Sequence, residues 1–260
     1  MIVQFKELVK YRELLFGLVV RDIKVRYKQS LLGIAWAMFT PLAMMLIFTF
    51  VFSRIALIST GEIPYPIFAY CGLLPWTFFS GSLLTATVSL VSNRSLVTKI
   101  YFPREVFPIA AILSRFVDFC IASSILFGLM IYFRISFHWT IFLSPLVLMI
   151  QVLFMAGLAF FLSMGHLFYR DVKYILDAII MLWMFATSVI YPIKVSSPTL
   201  QRILMLNPMT PIIDSYRSLI LEGKIPDIVT LSLPTGIAVA FFIIGWIWFH
   251  RSEYLFAEII

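Results

Sequence analysis

Residues 21–41 read RDIKVRYKQSLLGIAWAMFTP, and this run, Arg21–Pro41, decides the fold class. Four bases, Arg21, Lys24, Arg26 and Lys28, stand against one acid, Asp22, and then from Ser30 to Ser53 there is no ionisable side chain at all. About 20 consecutive apolar residues cross the hydrocarbon core of a bilayer as a helix. A basic segment held at the membrane surface therefore passes directly into a membrane span.

The remainder of the chain has the same character, with 62% hydrophobic and 13% charged residues among 260. A mean hydropathy of +1.00 excludes an ordinary soluble domain. The net charge of +7 is not a nucleic-acid footprint, because the bases crowd into short segments between apolar runs, where they set topology. Cys71 and Cys120 fall inside apolar runs and imply no disulfide framework. The first thirty residues carry Glu7, Glu13 and Asp22 among their bases and lack a compact apolar core, so no cleavable signal is expected and the mature chain is expected to begin at or near Met1.

Charge-free runs predict six transmembrane helices in an all-α polytopic membrane protein: Leu31–Ser53, Ile63–Asn93, Phe116–Phe133, Trp139–Gly165, Ala178–Ile193 and Ile228–Phe249. The second holds Pro64, Pro66 and Pro75 and is longer than one straight crossing, which predicts tilt or kinking. With these spans, thirteen Lys and Arg fall on one side and six on the other, which places both termini in the cytoplasm. The expected organisation is a cytoplasmic interface helix over 1–30, one transmembrane domain over 31–249 and a cytoplasmic tail over 250–260. Within the last outer loop, Leu200–Leu206 and Ile212–Leu221 are apolar but too short to span, and Asn207, Pro208 and Pro211 separate them. Lipid cannot satisfy an irregular backbone, so residues 195–225 are expected to form re-entrant or interfacial helices.

On a helical wheel of residues 5–28, Lys6, Lys10, Arg21, Lys24 and Lys28 fall within an arc of about 60°. Phe5, Leu8, Val9, Leu15, Phe16, Val19, Val20, Ile23 and Tyr27 fill most of the opposite side, the pattern of an amphipathic helix lying in the cytoplasmic leaflet. Arg12 and Arg26 point into the apolar side, where a passive anchor has no use for them and a polar partner is called for. A bend is expected at Gln29–Ser30.

The loop 93–105, NRSLVTKIYFPRE, places Leu96, Val97, Ile100 and Tyr101 at helical spacing among Arg94, Lys99 and Arg104, with Pro103 as a stop. It reads either as a tight connection or as a short helix that docks into a groove of another protein. Arg115 and Asp118, three residues apart, can pair on one helix face as a clamp near the membrane boundary. Tyr169, Arg170, Asp171, Lys173 and Asp177 read as a solvated turn.

Aromatics make up 17% of the chain, too many for interfacial belts alone. Lipid-facing packing accounts for many of them, and Trp36, Phe39, Phe48, Phe52, Trp183 and Phe185 are candidates to line a path over which sugar rings slide. No phosphate-binding loop is present: Lys224 follows Gly223 without the upstream glycine or the following Ser/Thr. His138, His166 and His250 lie far apart at span boundaries and predict no metal site. No catalytic residue is expected, and energy for active transport must come from another chain or an ion gradient.

Four motifs in order resemble the membrane subunits of ABC-2-type exporters, within them the permeases of bacterial O-antigen and surface polysaccharide export. These are Arg21–Pro41 with Arg26, Tyr27, Lys28, Ser30, Leu32, Gly33 and Trp36; Pro103-Arg104-Glu105 with Phe107-Pro108; Tyr169-Arg170-Asp171-Val172; and Asn207-Pro208-Met209-Thr210-Pro211 with Arg217 and Gly223. The resemblance implies a homodimer in the bacterial inner membrane bound to two copies of a separate nucleotide-binding ATPase subunit. That subunit would hold ATP and Mg, with no cofactor on this chain and no nucleic acid. It implies that Arg94, Leu96, Val97, Lys99, Ile100, Tyr101, Arg104 and Glu105 contact the ATPase. It also implies a polyprenyl-diphosphate-linked polysaccharide as cargo, with Arg21, Lys24, Arg26 and Lys28 near the lipid diphosphate. Export of teichoic acid, capsule or a lipophilic drug fits the same architecture. The alternative of another class is an intramembrane enzyme on lipid-linked sugars using Arg115, Asp118 and His166, which form no clear acid/base pair.

Overall fold

The protein is described here by a computed structural model covering residues 10–57, 60–99, 102–193 and 198–256. Lys6 and the other wheel positions before Lys10 lie outside the described residues, as do Ile100, Tyr101 and the side chain of Lys99. The described residues are helical with no strand.

Helix α1 (Arg12–Tyr27) ends where the bend is expected, with Gln29 at φ 64°. A 3-10 turn at Gly33–Ala35 then leads into α2 (Trp36–Phe48), which continues as a π turn over Thr49–Ile55. The apolar side of α1 is divided. Leu18 and Val19 are buried and Leu14, Leu15 and Ile23 pack beside them, whereas Phe16 and Val25 are 70% and 72% exposed. Lys24 and Lys28 are exposed on the basic side.

Helix α3 (Tyr65–Ser92) is the centre of the molecule, packed by α5 (Val106–Tyr132) and α6 (Ser144–Phe168). Between α3 and α5 lies the short α4 (Arg94–Lys99). Helix α10 (Ile228–Ser252) packs along α6, where Gly157 and Gly245 allow close approach: a Cβ on Gly245 would lie 2.6 Å from the Gly157 carbonyl oxygen. Among the described residues, five helical stretches are long and apolar enough to cross a membrane: Gly33–Ser53, Tyr65–Ser92, Val106–Tyr132, Trp139–Phe168 and Ile228–Ser252. This makes the chain a multi-pass membrane protein. At about 1.5 Å per residue, the 28 residues of α3 run to about 42 Å, longer than the hydrocarbon core, as the length of its apolar run predicts.

The stretch expected as a fifth crossing, Ala178–Ile193, departs from expectation. Helix α7 (Val172–Phe185) has 14 residues and stops inside that run. The reason lies 20 to 30 residues further on. Asn207, between α8 (Pro198–Leu206) and α9 (Met209–Arg217), donates through Nδ2 to the Ala186 carbonyl at 3.0 Å and to Thr187 Oγ1 at 2.7 Å. Its Oδ1 accepts from the Trp183 indole at 2.9 Å and from the Met209 amide at 3.1 Å. Arg217, 4% exposed, donates to the Ser188 carbonyl at 2.5 Å and the Val189 carbonyl at 2.6 Å while lying 3.7 Å from the Phe68 ring centroid. The carbonyls freed where α7 unwinds are thereby satisfied without water. Gly72 leaves space for this fork, since a Cβ there would collide with Arg217 and lie 2.6 Å from the Val189 oxygen.

The two short helices expected between the last two apolar runs form. Met209–Ile213 and Ser215–Arg217 are buried, and the chain continues as a π turn over Ser218–Glu222 to Gly223 at φ 68°.

Candidate functional site

The end of α1 is fastened to α5 by charge. Arg26 forms an ion pair with Asp118 and donates to Ser114 Oγ at 3.1 Å, and the Tyr27 hydroxyl donates to the other Asp118 oxygen at 2.8 Å. Arg115 reaches the same carboxylate at 3.5 Å, the pairing its spacing predicts, and donates through Nε to Thr85 Oγ1 at 3.0 Å. Arg26 thus finds the polar partner that its place on the apolar side of the wheel demands. Burial first, and Asp118 beside it second, push the Tyr27 phenol up from its ordinary range.

This cluster has two guanidinium groups and one carboxylate, an excess of one positive charge. It sits at the edge of a cleft of about 550 Å³ enclosed by α1, α2, α3 and α5. Trp36, Met44, Phe78 and Phe119 give the cleft apolar walls, and Thr40, Thr77 and Ser80 add hydroxyls. Gly81 keeps the wall thin beside Arg115, whose side chain a Cβ would meet at 3.4 Å. Phosphate oxygens suit guanidinium groups, and sugar rings suit aromatic faces, so the arrangement fits an anionic amphiphile. Asp118 is committed to three donors and leaves no free base for acid/base chemistry.

The basic residues expected near the phosphate are separated by this geometry. Arg26 lines the cleft, Arg21 turns to Asn93 Oδ1 at 2.6 Å and to Asp22 at 2.7 Å, and Lys24 and Lys28 are exposed. Of the six aromatic candidates, Trp36 lines the cleft, with Phe39 edge-on to it at 5.3 Å and half exposed. Phe48 and Phe52 pack with Tyr65 and Phe68 in a separate cluster. Trp183 belongs to the interior, T-shaped against Phe79 at 5.1 Å, and Phe185 is half exposed. Sequence reasoning did not assign Tyr27, Phe78, Phe119, Thr77 or Ser80 to a site. Tyr27 sits beside Arg26 in the basic motif and was the one visible signal.

In the loop, Arg94 is exposed, Leu96 is half-buried, and Val97 and Glu105 are each 1% exposed. Arg104 donates from Nη1 to the Glu253 carbonyl at 2.6 Å, from Nη2 to the Val97 carbonyl at 3.2 Å, and from its amide to Glu253 Oε1 at 3.2 Å. The loop is therefore tied to the C-terminal end of α10. The turn with Tyr169, Arg170 and Asp171 is exposed, as its composition predicts.

The ABC-2 type transporter family model matches residues 13–221, and the chain belongs to that family. It is 32% identical over 237 residues to the O-antigen export system permease protein RfbA of Myxococcus xanthus, covering 90% of each chain. The RfbA permease of Klebsiella pneumoniae is 31% identical over 254 residues, 95% of each. A more distant relative is the polysialic acid transport protein KpsM of Escherichia coli, 23% identical over 91% of this chain and 92% of that protein.

Proposed function

We propose that this chain is the transmembrane subunit of an ATP-driven exporter that moves a polyprenyl-diphosphate-linked polysaccharide of O-antigen type across the bacterial inner membrane. The observation that carries the proposal is the cleft lined by Arg26 and Arg115, with the single carboxylate of Asp118 between them, and by Trp36, Phe78 and Phe119. The diphosphate engages the excess guanidinium charge, and the apolar walls take the prenyl chain and the first sugars. The functions of the relatives, O-antigen export and polysialic acid transport, support a polysaccharide cargo.

ATP and Mg are held by a separate ATPase subunit, two copies on a homodimer of this chain. Arg94 and Leu96 of α4 offer the contact, while Val97, Arg104 and Glu105 support the loop from beneath. Closure of the ATPase pushes α4, and the ties from Arg21 to Asn93 and from Arg26 to Asp118 carry the movement to α1 and α5. The sparse burial of Gly33–Ser53, 11% against 78% for Tyr65–Ser92, is consistent with a first span at the membrane or dimer boundary. Both termini are cytoplasmic. The fifth of the six crossings is made by α7, about 21 Å of helix, with re-entrant α8 and α9 completing the outer part.

The experiment is export in cells lacking the endogenous gene. Arg26→Ala that inserts normally yet exports little polysaccharide supports the reading, and normal export by both Arg26→Ala and Arg115→Ala sinks it.

A further inference from the structure

Where the loop after α4 meets the C-terminal end of α10, Glu105, His250 and Glu253 bring their ligand atoms within 4.8 Å of one another. His250 Nδ1 lies 3.3 Å from Glu105 Oε1 and 3.3 Å from Glu253 Oε2. We propose that these three side chains form a binding site for a divalent first-row transition-metal ion, Zn²⁺ foremost, that fastens the end of the last membrane span to the loop carrying Arg104.

Three observations converge. The first is spacing: around a tetrahedral Zn²⁺ with ligands at about 2.0–2.1 Å, neighbouring donor atoms stand about 3.4 Å apart, close to both 3.3 Å separations. The second is an orphan acceptor. Glu105 is 1% exposed, and its Oε2, the partner of the oxygen that faces His250, has no hydrogen-bond partner, an expensive state for a buried carboxylate oxygen that a cation held by both Glu105 oxygens relieves. The third is orientation from outside the triad, because the Arg104 amide holds Glu253 Oε1 at 3.2 Å and leaves Oε2 turned to His250. One imidazole with two carboxylates is a ligand set of borderline hardness, suited to Zn²⁺ or Mn²⁺ better than to Mg²⁺. His250 has 43% of its side chain exposed, so water fills the remaining coordination position and the ion can exchange.

Phe102 and Phe107 lie close to Glu105 in the chain, and Phe249 and Phe256 close to the other two ligands, all 2% exposed or less. Arg104 stands beside Glu253, donating to its carbonyl at 2.6 Å.

The test is Zn²⁺ titration of the full chain, purified without a polyhistidine tag and stripped with a chelator, alongside His250→Ala and Glu253→Gln. The expected result is one Zn²⁺ per chain at micromolar affinity or tighter, weakened at least tenfold in each variant. Mn²⁺ should compete and Mg²⁺ should not. X-ray absorption of the Zn²⁺-loaded protein should show one imidazole nitrogen with oxygen ligands at about 2.0–2.2 Å. Equal uptake by wild type and both variants means an adventitious ion only and overturns the proposal, as does no uptake or a coordination shell containing sulfur. Because the readout is metal binding to the chain itself, it is independent of whether the cargo is a polysaccharide.

Discussion

The guanidinium of Arg217 donates at 2.6 Å to the carbonyl of Val189, a residue in the turn where α7 has unwound. With the second bond to Ser188 and the ion pair to Asp214 at 3.1 Å, one side chain holds the unwound end of α7 against the buried helix α9. Arg217→Met should destabilise the fold by about 3–5 kcal/mol, since it leaves Asp214 unpaired and two carbonyls without donors. Arg217→Lys should recover little, lacking the fork. Thermal unfolding in detergent checks this, and an unchanged midpoint for Arg217→Met would refute the role.

Gly72 offers an independent approach to the same joint. Gly72→Ala places a methyl against Arg217 and the Val189 backbone, neither of which is free to move, so it should destabilise by about 1–3 kcal/mol. Gly128→Ala, where no atom lies within 4 Å of the added carbon, serves as the control and should be neutral or slightly stabilising.

Arg26 and Asp118 join α1 to α5 across 92 positions of sequence. Arg26→Met and Asp118→Asn should each reduce polysaccharide export, and the double variant should be less than additive, with a coupling of about 1–3 kcal/mol in a double-mutant cycle. Strictly additive losses would mean the two act separately.

Arg94 is exposed at the start of α4. Arg94→Glu should lower the amount of ATPase subunit that co-purifies with this chain by severalfold while leaving its own unfolding midpoint unchanged. Undiminished co-purification would return α4 to a plain connection.

Thr40 lies in the cleft wall on α2. Thr40→Trp should place a bulky ring in the cleft and reduce export with normal membrane insertion, whereas the same change at exposed Ile47, outside the cleft lining, should have little effect.

Local signals made much of the fold legible. The charge step at Arg21–Pro41 marks the joint, and the bend falls at Gln29 because no polar–apolar face can continue past it into the bilayer. Arg115 and Asp118 are legible as an i,i+3 pair, and Arg26 on the apolar side announces a buried partner. That the partner is Asp118 is not legible, because only the packing of α1 on α5 brings them together. The run Ala178–Ile193 misleads for the same reason: a scan for missing charge cannot register that Asn207 and Arg217, far along the chain, hold open a helix break at Ala186–Val189. Trp183, chosen as a path-lining aromatic, instead spends its N–H on Asn207. Glu105, 145 positions from His250, carries no metal-ligand spacing in one dimension.

The most direct measurement is ATP hydrolysis and transport by this chain and its ATPase subunit, reconstituted together in vesicles with a polyprenyl-diphosphate-linked polysaccharide. The account predicts that the lipid-linked glycan stimulates hydrolysis and crosses the bilayer only with ATP, that the same glycan freed of its diphosphate lipid does neither, and that Arg26→Ala abolishes the stimulation. Equal hydrolysis with and without the lipid-linked glycan, and no ATP-dependent crossing, would contradict it.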